Sequence, residues 1–124
     1  MIFNFDSMES ITIKNFKGGE KEITAEMFCD DHGRIMKATL IPGASIGYHK
    51  HEDNGEVIFA LKGNARVLYN DGEETLKEGE CHYCPKGNSH SVINDSDSDF
   101  VMLCVVPDQV WLVNNMDKKT PTAE

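Results

Sequence analysis

Along most of the chain, apolar and polar residues alternate over short runs, and each run stops at Gly, Pro, Asn or Asp. "EITAEMF" (Glu22 to Phe28) gives way to Asp30-Asp31-His32-Gly33, and "RIMKATLI" (Arg34 to Ile41) to Pro42-Gly43. "EVIFALK" (Glu56 to Lys62) meets Gly63-Asn64, and "ARVLYN" (Ala65 to Asn70) meets Asp71-Gly72, a strong hairpin signal. "EETLK", "ECHYC", "SHSVIN" and "FVMLCVV" (Phe100 to Val106) follow, separated by Glu78-Gly79, Pro85, the polar run Asp95 to Asp99, and Pro107. A period of two is the mark of strands with one buried face. Eight or nine such strands predict an all-β fold, an antiparallel sandwich or barrel. The runs are too short and too interrupted for helices, the segment after Pro107 being the one exception allowed.

With 124 residues the chain fits one domain. Residues 1–20 read as an N-terminal arm ending at Lys17-Gly18-Gly19, 21–113 as the β-domain, and 114–124 as a flexible tail. A net charge of -9, from 12 basic and 21 acidic residues, argues against nucleic acid or an anionic membrane as the main partner. The start "MIFNFDSMESITIKNF" has no signal-peptide pattern, and no apolar run reaches membrane-spanning length, so a cytoplasmic protein is expected. Cys29, Cys81, Cys84 and Cys104 are then reduced thiols.

The stretch "YHKHEDNGEVIF" (Tyr48 to Phe59) carries the first chemistry. In a strand, His49 and His51 share a face and Lys50 takes the other. Glu56 follows the bend-like Asp53-Asn54-Gly55 and opens a run whose alternate positions, Ile58 and Ala60, are apolar. A carboxylate on that face is costly unless paired or bound to a cation. On its own, His-x-His fits a polar surface loop about equally well. The second stretch, "GECHYCPKGNSHSVIN" (Gly79 to Asn94), reads as strand, Pro-x-Gly turn and strand, and the turn can send His90 back towards the interior.

Together the two stretches resemble the cupin family. Its first motif is Gly, five residues, His-x-His, three or four residues, Glu, six residues, Gly, and Gly43, His49, His51, Glu56 and Gly63 fit it. Its second is Gly, five residues, Pro-x-Gly, two residues, His, three residues, Asn, and Gly79, Pro85, Gly87, His90 and Asn94 fit it. The resemblance, over about Ala38 to Val106, implies a jelly-roll barrel holding one divalent metal on His49, His51, Glu56 and His90. Three imidazoles and a carboxylate suit Fe, Mn, Ni, Cu or Zn rather than Ca or Mg. In a six-coordinate ion they leave two positions for water or substrate. The resemblance also suggests a homodimer, with the arm pairing across subunits.

Other signals are weaker. Cys81 and Cys84 have zinc and redox spacing but no second pair, and strand parity splits them between faces, so they read as small buried hydrophobes. His32 reads as a solvated turn residue and His82 as structural. Gly47, two residues before His49, reads either as room for a ligand or as a bulge. Tyr48, Phe59, Tyr83 and Trp111 read as core or dimer contacts before pocket lining. "NDSDSD" lacks the ligand spacing of a calcium loop. Lys50 and Lys62 are expected to face out, and with no Arg or Lys placed inside, heavily phosphorylated substrates are disfavoured.

Two functions fit. One is a metal-dependent enzyme on a small organic molecule, of dioxygenase, isomerase or lyase type, with Glu56 as the candidate catalytic base. The other is a non-catalytic module that binds or senses a carboxylate or a sugar.

Overall fold

The computed structural model describes residues 1–107. Trp111 and the predicted tail, 114–124, lie outside the described residues. Ten strands form: β1 (Ile11–Lys14), β2 (Glu22–Asp30), β3 (Gly33–Leu40), β4 (Ser45–Lys50), β5 (Glu56–Lys62), β6 (Ala65–Tyr69), β7 (Gly72–Leu76), β8 (Cys81–Cys84), β9 (Ser89–Ile93) and β10 (Phe100–Pro107). Short 3-10 turns cover Phe5–Ser7 and Phe16–Gly18. The strands pair antiparallel in two sheets, ordered β1-β2-β3-β10-β5-β8 and β4-β9-β6-β7. This is the antiparallel all-β architecture expected from the alternation, and it agrees with the jelly-roll barrel that the family resemblance implies.

The inward positions of each run form one core between the sheets. Ile23 and Ala25 on β2, Met36, Ala38 and Leu40 on β3, Ile58 and Ala60 on β5, and Phe100, Met102 and Cys104 on β10 come from the larger sheet. Ile46, Ala65, Val67, Leu76 and Val92 answer from the smaller one. Burying such side chains contributes roughly 1.5–3 kcal/mol each before chain entropy is subtracted.

Three details depart from the sequence reading. The arm contains a strand, β1, which pairs with β2 of the same chain from Ile11↔Ala25 to Lys14↔Glu22. The β6–β7 hairpin closes on Tyr69↔Gly72, so Asn70-Asp71 make the turn, with Asn70 at φ 52°, a conformation asparagine tolerates. The sequence pattern puts the corner at Asp71-Gly72, one residue later. At Gly47, a Cβ would collide with the carbonyl of Lys17, so the missing side chain makes room for the crossing 16–18 segment and not for a ligand. The β4–β9 register also shifts between Ile46 and His49, as the bulge reading allowed.

Candidate metal centre

Backbone pairing delivers the four candidate ligands to one place. His49 on β4 lies directly opposite His90 on β9, and His51 follows β4 on the same face. Glu56 opens β5 in the other sheet, so the group spans the gap between the two sheets. The Pro85–Gly87 turn holds the approach: Gly87 N–H donates to the His51 carbonyl at 2.7 Å, and His51 N–H donates to the Asn88 carbonyl at 2.9 Å. Gly87 has φ 91°, where any side chain would be strained. At the other end of the second motif, the fully buried Asn94 amide donates to the carbonyls of Leu40 and Ser98, and its oxygen accepts from Ser96. Asn94 is therefore a structural clamp at the far end of β9.

His49 Nε2 is 3.2 Å from His51 Nε2, which is 3.0 Å from His90 Nε2, and Glu56 Oε1 is 3.1 Å from both His51 and His90 Nε2. All four donor atoms lie within 4.8 Å of one another, and the group could hold a metal ion. Donors at right angles on an ion about 2.1 Å away sit about 3.0 Å apart, against about 3.4 Å for a tetrahedron. The observed contacts match the first spacing.

Proton counting gives the same fit. A neutral imidazole has one N–H and one lone pair. His49 Nδ1 lies 2.7 Å from the Gly47 carbonyl oxygen, which can only accept. The His49 proton is therefore on Nδ1, and its Nε2 lone pair faces the cluster. Without an ion, the Nε2–H groups of His51 and His90 can donate to Glu56; an ion bound by all three rings would take the place of those two protons. Burial would raise the Glu56 carboxyl, but its hydrogen bonds with His51 and His90, and their charge, more than offset this and bring it to about 2. His49 is lowered from its ordinary value by burial first, against its bond to Gly47, and then by His90 and His51. A lower pKa keeps that imidazole neutral and able to ligate.

A cavity of about 600 Å³ opens onto this cluster, with His49, His51 and Glu56 on its wall. Sequence reasoning placed no cation inside, yet Arg34 is there. It stands opposite Val106, on the β3 face that carries Met36, Ala38 and Leu40. Its Nε is buried and has no hydrogen-bond partner among the described residues. Parity was the missed signal: Arg34, Met36, Ala38 and Leu40 are alternate residues of one strand. Lys17 also lines the cavity, and so does Lys50, although its side chain is exposed. Asp30, Asp31, Glu52 and Asp53 put acid among the lining residues.

His82 is also more than a core residue. It is buried on β8, its Nε2 3.0 Å from His90 Nδ1 and its Nδ1 3.1 Å from Glu74 Oε1. Burial first, then His90, lowers its pKa, against the pull of Glu74. Cys84 is buried as expected and pushed up to about 11 by burial, whereas Cys81 on the opposite face is exposed. Cys104 is also raised well above its ordinary value by burial, so neither inner thiol is poised to react.

The fold recurs in other proteins. Residues 36–106 match the Cupin domain family. An oxalate-binding protein of Thermotoga maritima is 31% identical over 101 residues, covering 76% of this chain and 83% of that protein. The crystal structure of a predicted oxalate decarboxylase from Thermotoga maritima superposes with a TM-score of 0.82 at 26% identity, covering 86% of this chain and 98% of the other. A Cupin 2 conserved barrel domain protein from Salinispora arenicola gives a TM-score of 0.71 at 21% identity, over 96% and 98% of the two chains, a likeness of fold. With more than half its length inside the family match, and with both motifs gathered around one four-donor cluster, this chain belongs to the cupin family.

Proposed function

We propose that the protein binds small carboxylates of the oxalate class on a divalent metal held by His49, His51, Glu56 and His90. The observation that carries this is Arg34. It shares the cavity wall with His49, His51 and Glu56 and keeps a buried Nε that has no hydrogen-bond partner among the described residues. A buried unpaired donor costs roughly 1–3 kcal/mol, a cost that a bound acceptor removes. The guanidinium fork fits a carboxylate. The similarity to an oxalate-binding protein supports the same ligand class.

An ion at the cluster supplies a Lewis acid for carboxylate oxygens. The residues then have separate tasks. His49, with its proton tied to Gly47, presents a fixed lone pair. Glu56 lowers the net charge of the site, so a doubly charged anion is not held too strongly to leave. Arg34 takes the oxygens directed away from the ion. The cavity also has room for acids larger than oxalate.

Turnover is a second reading, favoured by the place of Glu56, which is both ligand candidate and part of the cavity wall. Loss of CO2 from the oxalate dianion leaves a carbon that needs a proton, and there Glu56 can pass one in from solvent. Titration calorimetry of oxalate into manganese-loaded and metal-free protein tests the binding. Heat with the loaded protein and none with the metal-free protein is expected, and equal heats would refute the proposal. Release of formate and CO2 from oxalate by the loaded protein would decide for the enzyme.

The four unpaired cysteines support a reducing, cytoplasmic setting. Exposed Phe59 and Leu61 on the outer face of β5 support a homodimer.

A further inference from the structure

A hydrogen-bonded chain leads from the cluster to solvent on the side of β7. His90 is 1% exposed and His82 is 4% exposed, whereas the Glu74 side chain is 53% exposed. The residues come from β9, β8 and β7 in turn, and the two contacts are 3.0 Å and 3.1 Å. Because β8 edges the larger sheet while β7 and β9 belong to the smaller one, the chain crosses between the sheets twice. The His82 ring lies nearly parallel to His90, with centroids 5.2 Å apart and planes at 29°. Tyr69 meets it edge-on at 5.4 Å. It has little freedom to turn.

We propose that Glu74 and His82 are positioning residues that fix the tautomer and the aim of His90. The inference rests on the reading that the cluster holds an ion, and its logic is proton counting. An ion on His90 Nε2 uses that lone pair, so the proton of the neutral ring sits on Nδ1. Nδ1–H then donates to His82 Nε2, which must carry a lone pair. The His82 proton is therefore on Nδ1, where it donates to the Glu74 carboxylate. The carboxylate can only accept, so it sets the direction of both bonds. Without it the chain can run backwards: His82 Nε2–H would donate to His90 Nδ1, and the His90 proton would stand on Nε2, where the ion belongs. His49 needs no such chain, because the Gly47 carbonyl performs the same task in one step. Partners of this kind orient a ligand and raise its basicity.

The test uses zinc alone as probe, so oxalate plays no part in it. In ¹⁵N-labelled, zinc-loaded protein, long-range ¹H–¹⁵N spectra should show His90 and His82 both protonated on Nδ1. His82 protonated on Nε2 would overturn the proposal. His82→Phe keeps the bulk and removes the acceptor, and zinc affinity should fall about 10- to 100-fold. His82→Gln, with a carbonyl for His90 and an amide for Glu74, should recover most of it. Equal losses in the two variants would mean packing alone and would also overturn the proposal. Should His82→Phe not fold, Glu74→Ala at the half-exposed end decides: zinc affinity should drop several-fold and His82 should populate both tautomers. Unchanged spectra and affinity in that variant sink the positioning role while leaving the metal site intact. Failure of wild-type protein to bind zinc would sink both.

Discussion

Replacing Arg34 by Met separates ligand binding from everything else the barrel does. Met has a similar reach and no charge, and at this position it continues an apolar face with Met36, Ala38 and Leu40. Hydrogen bonds to a charged partner contribute roughly 1.5–3 kcal/mol, or about 10- to 150-fold in affinity. The Arg34 side chain is only partly buried, so solvent screening favours the lower part of that range, about ten- to thirtyfold. The same change removes a buried Nε with no partner among the described residues, so stability should hold or rise by up to about 1 kcal/mol. Metal content should not move, since Arg34 is outside the four-donor cluster. The assay is calorimetry of oxalate into metal-loaded variant and wild type, beside urea denaturation of both. Arg34→Lys, which keeps charge and loses the fork, should fall between them. A variant that binds oxalate as wild type does, with metal in place, refutes the argument.

Other outcomes follow from the cluster. His51→Ala or His90→Ala should abolish stoichiometric metal binding and leave a folded barrel, and full metal content by elemental analysis would contradict the ligand assignment. In metal-free protein, Glu56 has its folded-state carboxyl near 2 against an ordinary 4.5. The stability it contributes when ionised is complete above about pH 4.5 and lost as pH falls through about 2. Urea midpoints of wild type and Glu56→Gln should therefore converge on acidification across that window. A gap that stays constant would show that ionisation of Glu56 is not the source.

The site was legible in the sequence through two spaced motifs. Strand periodicity puts His49 and His51 on one face and the Pro-x-Gly turn can return His90, but the set of four with Glu56 is what the family resemblance implies. Arg34 was legible too, by parity with Met36, but a charged residue at the head of a run reads as a strand end facing water. The pairing of His82 with Glu74 was not legible. It depends on two edge strands of different sheets lying side by side, and nothing within either strand states that. Gly47 was ambiguous for a similar reason, since the obstacle it avoids is the backbone of Lys17, thirty residues earlier. Its neighbours show no pattern that points there. Strand β1 was missed because four residues between polar turns form a weak signal.

The acidic residues around the cavity set how an anion arrives, apart from how tightly it stays. Asp30, Asp31, Glu52 and Asp53, on a chain of net charge -9, outnumber the exposed Lys17 and Lys50 on the same wall and repel a dianion at a distance, while Arg34 and the ligand cluster act only at close range. Association should therefore quicken as salt is added, the reverse of electrostatic steering. On the proposed reading, oxalate enters slowly in dilute buffer and faster at physiological ionic strength, which makes the barrel a deliberate rather than a rapid captor of such an anion.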